Sequence, residues 1–579
     1  MKKRYIIISI ILILNILPLS AQVKKQESVL KREVTLYNPY KPALPDSKKK
    51  SFLPEMNDTT KIRPVFRYDV NANPFFPEYT ISPIKAAALL PDPLTKLYKG
   101  YVNLGIGNYL TPLAEVSVTN ERSKKGAIGI YARHFSTNGN VGLDNGTKGF
   151  AGYMDNDASL FGRLFFRKST LEGSLDYTGR TRYAYGYSPF VAEYFPLKKE
   201  IRIPYNNIGG KATYSSVNLD STELAYNFHL SYDYFTSGNS MSQKSFSLSG
   251  VVSKALNQFY AGAGIFYDRH KVPEDLILDP KYVVSVSPFI KQKEESWNFK
   301  LGMTALLDRN LTSEAKFHAY PDIDFGLTVV PSYLNFFASL SGKLEENAPL
   351  SAIKENPFLM RDGSLYKLPN TSYDMIITTG VKGNNGIGGN YMLSGSYSLI
   401  SNMLFFTNIV TPDTIIPHNR GNYFKAITDD VELLTIHGEM GGPINNKFSY
   451  FASANIYSYK MSNLKYAWNK PKWDGRFELR YNLRDKILAG IELTGQGKRY
   501  EIVNGDYIPP VPPKPATPDP RLTIDMPVHF NLNFTAEYRY SKILSFWAKL
   551  DNIANNHYYE WTYYPSQGFM FMVGLKYSL

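Results

Sequence analysis

From Lys99 to Leu579 the chain repeats one pattern: apolar and polar residues alternate with period two over segments of about ten to fifteen residues. Leu224–Tyr234 puts Leu224, Tyr226, Phe228, Leu230, Tyr232 and Tyr234 on one face, with Ala225, Asn227, His229, Ser231 and Asp233 on the other. Phe477, Leu479, Tyr481 and Leu483 likewise oppose Glu478, Arg480 and Asn482. In Phe530–Tyr540 the residues Phe530, Leu532, Phe534, Ala536, Tyr538 and Tyr540 oppose Asn531, Asn533, Thr535, Glu537 and Arg539. Soluble sandwiches also alternate, but their strands run to about five or six residues. Segments of this length suit a tilted strand crossing a bilayer.

The connections follow a rhythm of their own. Short turns are expected at Lys124-Lys125-Gly126, Lys168-Ser169, Leu256-Asn257, Lys291–Glu295, Pro331-Ser332, Asn445-Asn446, Arg484–Lys486 and Ser541-Lys542. Long connections fall between them, around 136–156, 180–204, 268–280, 343–371, 402–421, 461–474 and 500–526. Short periplasmic turns alternating with long outer loops are the signature of an outer-membrane barrel. The expected fold is therefore all-β, a transmembrane antiparallel β-barrel of about 22 strands with both ends periplasmic. Closure also removes the edges that such long strands would otherwise expose.

The first 98 residues read differently. Lys2, Lys3 and Arg4, the apolar run Tyr5–Leu19 and the small pair Ser20-Ala21 form an export signal over 1–21. Residues 22–98 hold ten prolines and the Lys48–Lys50 cluster, so they are expected to form an extended periplasmic arm. The barrel then occupies 99–579. No run of about 18 apolar residues follows the signal, which excludes a helical membrane protein. Cysteine is absent, which removes thiolate metal sites and disulfides. The net charge of +14 is scattered, with no nucleic-acid-binding signature. Outer-membrane lipid and lipopolysaccharide phosphates are the expected partners of these cations, and nucleic acid is not.

The C-terminal stretch LDNIANNHYYEWTYYPSQGFMFMVGLKYSL resembles the last two strands of TonB-dependent receptor barrels. Asn552-Ile553, Asn555 and Tyr558 match that family's pattern at the outer end of the penultimate strand, and Gly568 and Gly574 match its last-strand glycines. Gly574, Tyr577 and Leu579 resemble the signal read by the barrel-assembly machinery, with Leu579 where an aromatic is usual and Met572 where a polar residue is usual. Such plugged transporters have 22 strands, in agreement with the count above. The resemblance implies solute binding or transport across the outer membrane. It does not extend to a globular plug, because 77 proline-rich residues precede the barrel.

Few motifs carry chemistry. His134, His229, His270, His318, His418, His437, His529 and His557 show no close metal-ligand spacing, so no metal or cofactor is expected. No GxSxG nucleophile appears, and no enzymatic activity is expected. Gly383–Gly389 (GNNGIGG) reads as a periplasmic turn, and Pro509–Pro520 as a stiff segment of an outer loop. Glu33-Val34-Thr35-Leu36 fits a box captured by strand addition to a periplasmic energy-coupling protein, and a spacer in the arm accounts for it equally. Arg476, Glu478, Arg480, Glu537, Arg539, Lys549 and Asp551 are expected to face the lumen, where they set the pore's field or pair across strands. Two functions fit this reading: a solute receptor or transporter, or a structural barrel whose arm docks partner proteins without transport.

Overall fold

A computed structural model describes residues 98–579 apart from 121–122, 145, 187–196, 218–222, 239–240, 272, 274–279, 310–313, 361–362, 411–419 and 506–520. The signal segment, the arm except Tyr98, the Glu33–Leu36 box, His418 and the whole Pro509–Pro520 segment lie outside the described residues.

Among the described residues, 24 strands share one sheet. Two of them, Arg499–Gly505 and Arg521–Met526, form a hairpin off the ring. The other 22 pair antiparallel in chain order and close into a barrel. Closure joins the first strand, Gly100–Gly107, to the last, Met570–Ser578, from Tyr101↔Ser578 through Gly107↔Met572. Backbone bonds from Lys99 N to Leu579 O (2.9 Å) and from Leu579 N to Gly100 O (2.8 Å) fasten the seam.

Local chemistry explains the turns. Arg484 and Asp485 take φ of 53° and 55°, as the two central residues of a tight primed turn require. Asn482 supports them, donating from Nδ2 to Asp485 Oδ1 (2.7 Å) and accepting from the Asp485 amide (2.8 Å). The expected turn in GNNGIGG is present, with Gly386 and Gly388 at φ of 82° and 90°. The alternation of connection lengths is looser than the sequence suggests. At the long-loop end, 108–110 is a tight turn, with Tyr109 and Leu110 at φ of 57° and 48°. Conversely, 552–569 is a long outer connection that periodicity did not reveal.

The ring turns its apolar face outward. Ile130, Leu175, Ile208, Leu230, Ile265, Leu301, Leu393, Ile436, Ile491, Phe530 and Val573, from strands all round the barrel, are exposed. A continuous apolar belt of this kind is unstable in water and is satisfied by lipid. The protein is accordingly an outer-membrane β-barrel.

The buried core lies at the outer end. Asn390–Val410 and Arg420–Pro443 run for 21 and 24 residues, about twice the 9–11 needed to span a bilayer. Their outer halves continue as a ribbon beyond the membrane, and the hairpin adds to it through the parallel pairing Asn408↔Val503.

Candidate functional site

The inward wall is polar and internally paired. All seven lumen charges anticipated from the alternation sit on the face opposite the exposed Phe477, Phe530 and Phe546. Arg476 contacts Glu478 on its own strand and reaches Glu492 on the next (2.5 Å), while Arg480 reaches Glu478 (2.5 Å). Glu537 pairs with Arg539 (3.3 Å) and Asp551 with Lys549 (2.8 Å). With Glu492, cations and carboxylates balance, so this sector carries little net field and its pairs stiffen the wall. A second network links Asp155 and Asp157 to Arg182 (2.6 Å) and Arg180 (2.7 Å). Of these four residues only Asp155 and Arg180 face each other in register, while Asp157 stands opposite Thr178, so these two bonds form diagonally.

The histidines on the wall serve local contacts. His134 bonds Asn156 (2.7 Å), His229 bonds Thr213 (2.9 Å) and His437 bonds Asn455 (2.7 Å).

Above the wall, outer connections from separate sectors converge. Ala184, Ile201, Ile353, Phe358, Leu359, Leu365, Phe406, Phe424 and Tyr564 belong to one buried apolar cluster. Phe358 stacks on Tyr564 at 3.8 Å, and Tyr185 donates its hydroxyl to Pro565 O (2.9 Å). These contacts tie the described residues of 184–201 and of 346–370 to 552–569 in a cap with a protein-like interior. Fully burying each such aromatic stabilises the cap by roughly 1.5–3 kcal/mol.

The off-ring hairpin adds a polar lock to the cap. The Arg499 guanidinium donates to Glu560 O (2.9 Å), to Tyr559 O and to Asn469 Oδ1 (2.9 Å). Glu501, fully buried, accepts at one oxygen from the Thr562 amide (2.8 Å) and hydroxyl (2.6 Å). Its other oxygen has no hydrogen-bond partner. Burial pushes the Glu501 carboxyl up to about 7. Burial also raises the Glu560 carboxyl and lowers Arg499.

Connection 346–370 docks on the wall through polar contacts. Its short helix, Pro349–Glu355, buries Pro349, Ala352 and Ile353. The Leu350 amide donates to Gln243 Oε1 (3.1 Å), Tyr366 donates to Ser242 O (3.0 Å) and Asn370 donates to Asp308 (2.9 Å). The buried Lys281 ammonium donates to Asn347 O (2.8 Å) and Leu368 O (3.3 Å). Glu346 meets His270 Nε2 at 2.8 Å. Period-two reasoning could not find these residues, because the apolar residues of the cap follow no repeat. The available signals were composition alone, as in Asn356–Met360 and the aromatic run Tyr558–Tyr564.

The C-terminal motif residues have visible structural tasks. Asn552 and Asn555 both take φ of 51°, a left-handed conformation that asparagine tolerates. Asn555 Oδ1 accepts from the Phe569 amide (2.8 Å), and Tyr558 stacks on His529 at 4.3 Å. Gly574 lies in register with Gly105 across the seam, and the Trp547 ring covers both. A Cβ at Gly105 would sit 2.6 Å from that ring. Trp547 Nε1 donates to Asn103 Oδ1 (2.7 Å), which fixes the ring in place. Tyr577 and Leu579 are exposed on the outer side of the last strand.

No protein-family model matches the chain, and no curated protein sequence does. Solved structures match closely in fold. The FrpB iron transporter from Neisseria meningitidis aligns with a TM-score of 0.61 at 11% identity, covering 84% of this chain and 83% of that one. The pyoverdine outer membrane receptor FpvA from Pseudomonas aeruginosa gives 0.60 at 11%, covering 84% and 79%. The siderophore receptor PirA from Acinetobacter baumannii gives 0.59 at 10%, covering 84% and 81%. The TonB-dependent receptor barrel fold thus extends over most of the chain, well beyond the C-terminal motif.

Proposed function

We propose that the chain is a receptor-type barrel that binds a solute at its outer face and passes it through the polar lumen. The observation that carries this reading is the cap. Described residues of outer connections that leave the ring in separate sectors meet in one buried core. A cap held by discrete docking contacts is a gate, and the wall below it offers water-compatible paired charges along a path. Uptake in the solved proteins of this fold, described as iron and siderophore receptors or transporters, fits the same arrangement.

In this proposal the arm over 22–98 lies in the periplasm, and Glu33–Leu36 joins an energy-coupling protein by strand addition. The barrel-assembly machinery reads Gly574, Tyr577 and Leu579, and lipid and lipopolysaccharide surround the finished barrel.

Planar-bilayer conductance tests the gate. The mature chain is compared with a variant in which 346–370 is replaced by a short Gly-Ser linker, each with and without 22–91. Removal of the cap segment is expected to open a large, steady conductance in at least one background. Closed barrels in all four cases would overturn the proposal.

A further inference from the structure

We propose that Asp268, His270 and Glu346 form a divalent transition-metal site that fastens the cap to the barrel wall. Asp268 and His270 stand two residues apart on the strand Phe259–Lys271, so the pleat places both side chains on its inward face. Glu346 comes from connection 346–370 and reaches back across the ring to them. His270 Nε2 is 3.0 Å from Asp268 Oδ1 and 2.8 Å from Glu346 Oε2, and the three donor atoms lie within 4.8 Å of one another. Ligands held at ~2.0–2.1 Å from a tetrahedral ion are separated by roughly 3.3 Å. Both edges at the imidazole are shorter than that spacing by about half an ångström or less, so a small outward shift of the carboxylates admits the ion.

A plain hydrogen-bond network leaves one atom unexplained. Asp268 is nine-tenths buried, with 9% of its surface exposed, and its Oδ1 makes no hydrogen bond although it points at the same ring nitrogen as Glu346. One N–H cannot serve two carboxylates fully, whereas a cation between them can. Lys281 does not fill this role, since its ammonium is spent on the Asn347 and Leu368 carbonyls. Two carboxylates and a neutral imidazole carry a charge of about −2, which a divalent ion balances. One nitrogen and two oxygens suit zinc or manganese among first-row ions.

The far side of the ring is held by two polar side chains. Both Ser245 Oγ (2.9 Å) and Gln243 Nε2 (3.1 Å) meet His270 Nδ1; with the metal on Nε2, Nδ1–H donates to Ser245 Oγ. Gln243 donates to the same Oγ (2.7 Å), while its carbonyl is held by the Leu350 amide of the cap. Ring orientation and cap docking are therefore mechanically linked.

Zinc binding to the metal-stripped mature protein in detergent, followed by calorimetry and by the visible spectrum of the cobalt form, tests the site independently of solute passage. The wild type is expected to bind one tight Zn2+ per chain. His270→Ala and Glu346→Gln should each abolish that site, and Ser245→Ala should weaken it about 10–100-fold. Glu346→Gln lies outside the strands, and heat-dependent gel mobility confirms that each variant barrel is closed. Equal Zn2+ uptake by the wild type and both ligand variants would overturn the proposal, as would no tight binding by the wild type.

Discussion

Raising the pH from about 4.5 to about 8 should loosen the cap, and Glu501→Gln should remove most of that dependence. Glu501 is fully buried against Thr562, and burial lifts its carboxyl from 4.5 to about 7. Opening the cap returns the carboxyl to water and to its ordinary value. The closed cap therefore holds the proton more tightly than the open one. Below pH 4.5 both forms are protonated and no penalty exists. Between 4.5 and 7 the closed form loses stability, and above 7 the penalty is complete. At 1.36 kcal/mol per unit, the shift amounts to roughly 3 kcal/mol, or about a 300-fold change in the opening equilibrium. Glutamine reproduces the protonated acid in shape and charge, and it keeps an oxygen for the Thr562 amide and hydroxyl.

Amide hydrogen exchange of the barrel in nanodiscs measures this directly. Protection factors for Arg499–Val503 and Glu560–Tyr564 divide out the intrinsic pH dependence of exchange. They should fall by up to about 300-fold in the wild type across the window and stay nearly level in Glu501→Gln. Glu560 is also raised by burial and adds a slope of the same sign, so the difference between the two proteins is the quantity to read. Identical slopes would refute the assignment, as would a wild-type cap that tightens with rising pH.

Other perturbations test the wall and the seam. Ile491→Arg places a cation on the exposed lipid face and should cost about 2–4 kcal/mol near mid-membrane. Neighbouring Glu492→Gln removes one wall carboxylate, leaves Arg476 paired with Glu478, and should cost less than ~1 kcal/mol. Urea titration of the refolded barrels separates the two, and equal stability would mean that the faces are reversed. Gly574→Val drives a side chain into Trp547 and the Leu104 carbonyl across the seam. It should cost at least ~1–3 kcal/mol by overpacking, seen as loss of the heat-dependent mobility shift even when the protein is refolded without assembly machinery. A stable refolded barrel would reassign this glycine from seam geometry to assembly recognition alone.

The barrel was legible because its cause is local. A strand pleat with lipid on one side and water on the other imposes period two on every segment, so Leu224–Tyr234 and Phe530–Tyr540 report their faces without knowledge of their neighbours. Turn chemistry is equally local, as Asn482 and the Arg484-Asp485 pair illustrate. The charges on the wall were placed by the same alternation, but their partners were not, since pairing depends on register between strands. The cap was hidden for a different reason. Tyr185 meets Pro565 across 380 positions of sequence, and Glu346 meets His270 across 76. Closing the ring gathers such outer segments at one end and supplies the proximity that they lack in the linear chain. Sequence by itself determined which way each strand faces. Ring closure decided which loops meet, because packing among loops follows no repeat and exists only after the barrel has brought them together.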